Sequence, residues 1–536
     1  MLTLLMLKFI LPFLVPLSLA SAKKPNIVFI FSDDHATSAI GAYEGFLKSV
    51  NPTPNIDKLA SQGMLFKKSF CTNSICGPSR AVILTGKHSH HNGFMNNGNN
   101  FDGDQQTFPK LLQKNGYRTA LFGKWHLKSQ PQGFHQWKVL PGQGQYYNPD
   151  VLTANGKERL EGHCTDVVTD LAINFMKQQA KDGEPFLLMC QHKAPHRNWM
   201  PALRHLDLYD DVTIPEPATL FDTWEDNASP AKWQELEIDG HMHLTYDLFY
   251  DLSLKTSLKG EEKADRSAAR NLHRMTPSQL SIWNSHWDPK NDALRKANLQ
   301  GKDLVRWKYQ RYAKNYLRCV KGVDESIGTI MENLEDLGLA ENTIVVYSSD
   351  QGFYIGDHGW FDKRWMYEES LEMPLIVKWP GVTKPGSVDQ HMVQNLDYAP
   401  TFLEATGAAI PADLQGKSLV PLLEGESPDW RDSIYYHYYE YPSVHMVPMH
   451  NGIRTERHKL INFYHFGEWE LYDLKNDPDE LKNLYGDPAQ KELIVDLKKQ
   501  LKELADGYGD TTVGEKYSPE KIKEFRTKQF RVPNKL

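Results

Sequence analysis

Two clusters of oxygen-bearing side chains stand out in the sequence. Asp33 and Asp34 are adjacent in the run SDDH, and Asp350 precedes Gln351 in SDQG. Carboxylates and an amide are the donors that a hard divalent cation such as Ca²⁺ or Mg²⁺ takes. The same residue types also serve as helix caps and turn formers. A further candidate is Cys76, in CGPSRAVILTG. Gly77 and Pro78 frame a turn from which a helix opens. A helix N-terminus lowers a thiol pKa and favours an anion, through free N–H groups and the dipole. Arg80, one turn in, adds a fixed positive charge. A buried or disulfide-linked cysteine fits the composition equally.

Elements of secondary structure must bring these residues together. Residues 26–31 (NIVFIF) form a continuous β-branched and aromatic run, which predicts a strand buried on both faces and ending at the Asp33–Asp34 pair. Residues 343–348 (TIVVYS) predict a strand that runs into Asp350, and residues 185–191 (PFLLMCQ) one that runs into His192 and His196. Further strands are expected at 117–122 and 374–379. Helices are expected at 55–62, 78–84, 108–114, 164–179 and 396–406, and over 304–337 with a break near Asp324. Strands alternating with helices argue for an α/β domain around a large, mostly parallel central sheet. In such sheets the polar residues that do chemistry gather past the carboxyl ends of the strands, where all three clusters fall. Residues 210–300 are charged, Trp-bearing and weakly periodic, and read as an insertion over the site. After 427 the texture changes: IYYHYYEY, HMVPMHNGIRTERHKLINFY and EWELYDL predict antiparallel strands, followed by a helix at 489–504. The expected division is a catalytic domain at 23–427 and a smaller C-terminal α+β subdomain at 428–536.

CGPSRAVILTG resembles the signature of the type I, formylglycine-dependent sulfatases, C-x-P-S-R-x-x-x-L-T-G. SDDH, TPNIDKLASQG, GKWHL at 123–127, SDQGFYIGDHGWFDKRWMYEES and WELYDLKNDPDELKNL resemble further blocks of that family, in family order, across nearly the whole chain. The resemblance implies an alkaline phosphatase-like fold. It implies that Cys76 is converted to formylglycine by a formylglycine-generating enzyme. The hydrated aldehyde would then attack sulfur and pass through a sulfoenzyme intermediate. Asp33, Asp34, Asp350 and Gln351, with an oxygen of modified Cys76, match the ligands of one divalent cation, Ca²⁺ in the first place and Mg²⁺ in the second. Many relatives carry Asn or His where this chain has the longer Gln351. Arg80 and Lys124 match residues that steady the formylglycine and the sulfate, His126 the base acting on the gem-diol, and Lys363 the sulfate-binding lysine. His196, in KAPHRNW, matches the histidine beside the leaving oxygen, with His192 as its competitor.

The implied activity is hydrolysis of sulfate monoesters on a sulfated carbohydrate: a glycosaminoglycan, mucin glycan or algal polysaccharide. The stretch HSHHNGFMNNGNNF resembles the corresponding region of sulfatases acting on glucosamine 6-sulfate, although its His and Asn residues also suit turn scaffolding. The rivals are a phosphonate or phosphate monoester hydrolase of the same superfamily and an inactive glycan-binding relative. A one-metal ligand set speaks against the first, and the intact Cys76, Arg80, Lys124, His126 and Lys363 against the second.

Residues 1–22 are apolar around Lys8 and end in Ala20-Ser21-Ala22, the pattern of a cleaved signal peptide. The expected product is exported, secreted or periplasmic, with no membrane association once the signal is removed. The balance of 61 Lys+Arg against 68 Asp+Glu leaves a net charge of −7, which offers nucleic acid no attraction. Five cysteines are too few for a disulfide scaffold, and their odd number leaves one outside any pairing; the resemblance implies that this one is Cys76, and whether Cys71, Cys164, Cys190 and Cys319 pair stays open. The 13 Trp suggest faces that stack on sugar rings, although Trp is equally a core residue.

Overall fold

Hydrophobic strand runs dictate the centre of the protein. The computed structural model describes residues 23–50, 52–250 and 263–527; the signal-like segment 1–22 lies outside the described residues. The strands in chain order are β1 (Asn26–Ser32), β2 (Met64–Phe70), β3 (Arg118–Lys124), β4 (Gln136–Leu140), β5 (Asp150–Thr153), β6 (Gly156–Arg159), β7 (Phe186–Gln191), β8 (Thr343–Ser349), β9 (Tyr354–Ile355), β10 (Phe361–Asp362), β11 (Leu375–Lys378) and β12 (Ser387–Gln394). Ten of them form one sheet in the order β12-β2-β11-β8-β1-β7-β3-β4-β5-β6, with β9 and β10 as a separate ribbon. The middle of the sheet, from β8 through β1, β7 and β3 to β4, is parallel. Antiparallel pairing enters through β11 and at the β4–β5–β6 edge, so the whole is mixed.

Helices cover both faces, which is why the central strands read as continuous apolar runs. The helices up to the end of the long one are α1 (Pro54–Gln62), α2 (Cys76–Thr85), α3 (Ser89–Asn92), α4 (Phe108–Lys114), α5 (Cys164–Asp182), α6 (Lys263–Leu272), α7 (Pro277–Ala297) and α8 (Gly301–Asp336). Alternate residues of β1 feed two cores. Val28 and Ile30 pack with residues of α1, α5 and α8, and Ile27, Phe29 and Phe31 with residues of α2 and α4.

The break expected near Asp324 does not exist: α8 runs unbroken for 36 residues. Asp324 is a polar residue on the inward face for another reason. Its carboxylate accepts hydrogen bonds from the Asn55 and Ile56 amides, at 2.7 and 3.0 Å, and so caps the N-terminus of α1 from outside. The tryptophans are also more internal than expected. Trp199, Trp283, Trp287, Trp360 and Trp365 are all fully buried and serve the core. All five cysteines are buried and unpaired.

The C-terminal strands β13 (Ser433–Tyr438), β14 (His450–Thr455), β15 (His458–Phe463) and β16 (Glu468–Asp473) form an antiparallel sheet in sequential order. The helix Lys491–Gly507 lays Leu497, Leu501 and Ala505 against it.

Candidate active site

Neighbouring parallel strands end on the same edge of the sheet, and their next residues converge there. β1 delivers Asp33 and Asp34, β8 delivers Asp350 and Gln351, β3 ends in Lys124, and β7 leads to His196. Each of Asp33, Asp34 and Asp350 offers an oxygen within 4.8 Å of the others, and all three side chains are completely buried. Asp350 ties the two strand ends together, accepting from the Asp34 amide at 3.0 Å. Tyr316 of α8 fixes the turn after β1. Its hydroxyl donates to the Asp34 carbonyl at 2.7 Å and accepts from the Ala36 amide at 2.9 Å. Asp34 thereby holds φ 68°, a left-handed conformation that Asp tolerates better than most residues.

Cys76 is the first residue of α2, and its sulfur lies within 4.8 Å of ligand atoms of Asp33 and His196. The helix rises from a tight corner. A Cβ on Gly77 would stand 2.6 Å from the Phe94 ring and 2.8 Å from the Asn97 side-chain oxygen, so a larger residue after Cys76 would make those side chains shift. The lowered thiol pKa expected at a helix start is not found. Burial pushes the Cys76 thiol up, and the Asp34 and Asp350 carboxylates add to this against the opposing charges of Lys363 and Arg80. An unmodified thiol here is a poor nucleophile.

Cations surround the carboxylates. Arg80 donates to Asp350 Oδ2 through Nε and Nη2, at 3.2 and 3.0 Å, and through Nη1 to the Lys124 carbonyl at 2.8 Å. Lys124 bonds Asp33, and Lys363 bonds Asp34 at 2.7 Å. Burial opposes the charge on Lys363, but Asp34 and Asp362 outweigh it and hold its pKa above the usual range. His126 is pushed well below its ordinary range by burial first, then by Lys124, Arg80 and Lys363, and its Nδ1 has no partner. His196 is lowered by burial first, then by Lys124, Lys363 and Lys193. Its Nδ1 donates to the Arg197 carbonyl at 2.5 Å, and its Nε2 faces Asp34 at 3.8 Å.

The donor set fits a divalent cation. Asp33 Oδ1 and Gln351 Oε1 are buried without a hydrogen-bond partner among the described residues. Burial pushes the Asp34 carboxyl up to about 7 even with Lys363 beside it, with Asp350 and Asp362 adding to the rise. Clustered, desolvated carboxylates with unused oxygens are the usual setting for a hard cation. Gln351 now donates its amide nitrogen to Asp34, and a half-turn of that amide exchanges nitrogen for oxygen.

His192 does not join the cluster. Its Nε2 faces Ser326 of α8 at 3.0 Å, on the far side of the strand end. The His and Asn residues of HSHHNGFMNNGNNF act mainly as scaffold. His90 and His91 reach the Tyr508 carbonyl, and Asn97 accepts from the Gly77 amide. Residues that sequence reasoning passed over include Gln191, which accepts from Arg80 at 3.2 Å, and Asp362. The Asp362 carboxylate lies among Lys363, Arg364 and His445, at 3.8, 3.2 and 3.5 Å. Its position inside FDKRW, one residue before Lys363, was the available signal.

Comparison with known proteins shows the family. The sulfatase family model matches residues 25–408, and that of the N-sulphoglucosamine sulphohydrolase C-terminal region matches residues 356–507. An N-acetylglucosamine-6-O-sulfatase of Bacteroides thetaiotaomicron is 47% identical over 520 residues, 94% of this chain and 91% of that protein. A ulvan-active sulfatase of Formosa agariphila is 26% identical over 508 residues, 90% of this chain and 82% of the relative. The solved structure of BT4656 in complex with its substrate D-glucosamine-2-N,6-O-disulfate superposes with a TM-score of 0.87 at 45% identity, covering 92% of this chain and 99% of that one. The match over most of the chain, at 47% identity to one relative, shows that the chain belongs to the sulfatase family, enzymes that hydrolyse sulfuric esters.

Proposed function

We propose that this enzyme removes the 6-O-sulfate from sulfated glucosamine units of a glycosaminoglycan-type saccharide. The observation that carries the reading is the convergence of Cys76, Asp33 and His196 within 4.8 Å in a buried, cation-lined site. The choice of sugar is supported by the 47% identical N-acetylglucosamine-6-O-sulfatase and by the disulfated glucosamine bound to BT4656. Export of the protein, which rests on residues 1–22, belongs to the same proposal.

Asp33, Asp34, Asp350 and Gln351 would hold one divalent cation, Ca²⁺ or Mg²⁺, which supplies Lewis-acid charge at the sulfate and at residue 76. Formylglycine, made from Cys76 by a formylglycine-generating enzyme, supplies the nucleophilic hydroxyl that the buried thiol cannot.

The remaining residues do fixed electrostatic work. Arg80 is locked by Asp350, the Lys124 carbonyl and Gln191, so its charge needs no reorganisation during reaction. Lys363 places an ammonium group beside the carboxylates, where the equatorial sulfate oxygens gather charge; burial draws the Lys124 pKa well below its usual range against the pull of Asp350 and Asp362, so its amine, bonded to Asp33, serves as a hydrogen-bond donor whose charge a bound anion would favour. His126 is neutral, because burial and the neighbouring cations Lys124, Arg80, Lys363 and Lys193 disfavour its proton. It is therefore ready to accept a proton from a hydroxyl on residue 76. His196 in its neutral form carries its proton on Nδ1, held by the Arg197 carbonyl. Its Nε2 is then a lone pair facing the site. An anionic ester bound there favours the imidazolium, which can return the proton from Nε2 to the departing sugar oxygen.

The test is sulfate release from N-acetylglucosamine 6-sulfate and galactose 6-sulfate, together with mass spectrometry of the residue-76 peptide. The active enzyme should prefer the glucosamine sugar and show a peptide about 18 Da lighter than the cysteine form, since a thiol has become an aldehyde. Cys76→Ser should abolish multiple turnover. Full activity with an intact thiol, or preference for galactose 6-sulfate, would refute the reading.

A further inference from the structure

A cavity of about 430 Å³ opens beside His196. Lys193 lies in one wall, 3% exposed, and no carboxylate stands within ion-pair distance of it among the described residues. Its ammonium makes one long hydrogen bond, to the Arg197 carbonyl at 3.3 Å, and sits over the Tyr146 ring, 4.7 Å from the centroid. Burial draws its pKa down to about 8, which still leaves it charged at neutral pH. A buried cation so poorly compensated is costly unless an anion joins it.

Arg270 of α6 and Arg274, just past the end of that helix, supply another wall. Arg274 is spoken for by Asp150, at 2.9 Å, but that carboxylate also serves Lys157 and Arg159 at 2.9 and 3.0 Å, one anion against three cations. Arg197 is neutralised by Asp247 at 2.6 Å. Arg270 is exposed and has no ion-pair or hydrogen-bond partner among the described residues. No carboxylate lines the cavity among the described residues, so its potential is positive although the chain as a whole carries −7.

We propose that this cavity is a second anion subsite, in which Lys193 and Arg270 receive a sulfate or carboxylate carried by the saccharide near the scissile sulfate. Because His196 stands between the cavity and the carboxylate cluster, an anion held here sits on the sugar side of the ester. The subsite selects doubly charged sugars over singly charged ones. This rests on the reading of the substrate as a sulfated glucosamine unit, and it names the group that reading leaves free: an N-sulfate on the same ring or the carboxylate of an adjoining uronic acid.

Three substrates separate the cases: N-acetylglucosamine 6-sulfate, glucosamine-2-N,6-O-disulfate, and a disaccharide joining N-acetylglucosamine 6-sulfate to a uronic acid. The wild type should show a higher kcat/KM for at least one doubly anionic substrate than for the first, and which one it is identifies the anion. Arg270→Ala and Lys193→Met should each reduce that preference about tenfold, the scale of a lost charge-assisted contact, and Arg270→Lys should retain most of it. Arg270 is on the rim, so its variants stay informative if Lys193→Met fails to fold. A wild type that hydrolyses all three substrates without preference, or an Arg270→Ala enzyme that keeps the preference, overturns the subsite alone. A wild type that hydrolyses none of them overturns both the subsite and the substrate reading beneath it.

Discussion

His450 shows how strongly burial acts on a single side chain. It sits among Trp365, Tyr436, Tyr438 and Phe463, with Nδ1 on the Pro448 carbonyl and Nε2 unpartnered. Burial lowers its pKa to about 3, only partly offset by that carbonyl. The unfolded chain therefore binds a proton near pH 6.5 that the folded chain refuses, so the stability due to the neutral ring is complete above that pH and is lost on acidification. Between pH 6 and pH 4 the wild type should lose about 2–3 kcal/mol relative to His450→Phe, as read from urea unfolding at several pH values. Parallel pH profiles for the two proteins would contradict the argument. Residues of this kind were not legible in the sequence, because nothing local to His450 says that four rings from other segments will surround it. Cys76, Asp33, Asp34 and Asp350 were legible, because each sits where a strand or helix boundary is written in the sequence. Gln191 escaped notice because a strand-terminal glutamine looks like any solvent-facing amide.

At the scale of elements, the site depends on how closely β3 can approach β7. Gly123 pairs with Gln191 in the parallel register and has φ 105°, and a Cβ there would stand 1.9 Å from the Gln191 carbonyl oxygen. Both the conformation and the space therefore require glycine. Gly123→Ala should destabilise the protein by about 3 kcal/mol or more, through clash and backbone strain, as measured by denaturant unfolding. Activity should fall with it, since the next residue, Lys124, would leave Asp33. A variant with wild-type stability would mean that β3 can shift freely. The elements themselves were largely readable: apolar runs gave β1, β7 and β8, and capping and periodicity gave α1, α2 and α5. The misplaced break in α8 has a physical cause. A buried Asp inside a helix looks like a terminator until its partner, the N-terminus of α1, is brought beside it by the fold. The Trp residues were ambiguous for the same reason, because a large ring suits a core as well as a sugar.

At the scale of the whole molecule, the carboxylate cluster joins parts of the chain that are 316 residues apart, at the edge where the central strands end. The three carboxylates repel one another, and Asp33 Oδ1 and Gln351 Oε1 lack partners among the described residues, so the folded form would bind a divalent cation much better than the unfolded chain could. Binding confined to the folded state raises stability by mass action, about 2.7 kcal/mol when the free cation is at 100 times its dissociation constant. Chelation of the purified enzyme should therefore lower its melting temperature as well as its sulfatase activity, with both recovered on adding the ion back. Calcium should restore them better than magnesium. The long arm of Gln351 gives the loose, adjustable oxygen shell that Ca²⁺ accepts, whereas Mg²⁺ demands a short and regular one. A melting temperature indifferent to tight chelators would remove these residues from the metal role. A magnesium preference would keep the role and reverse the choice of ion.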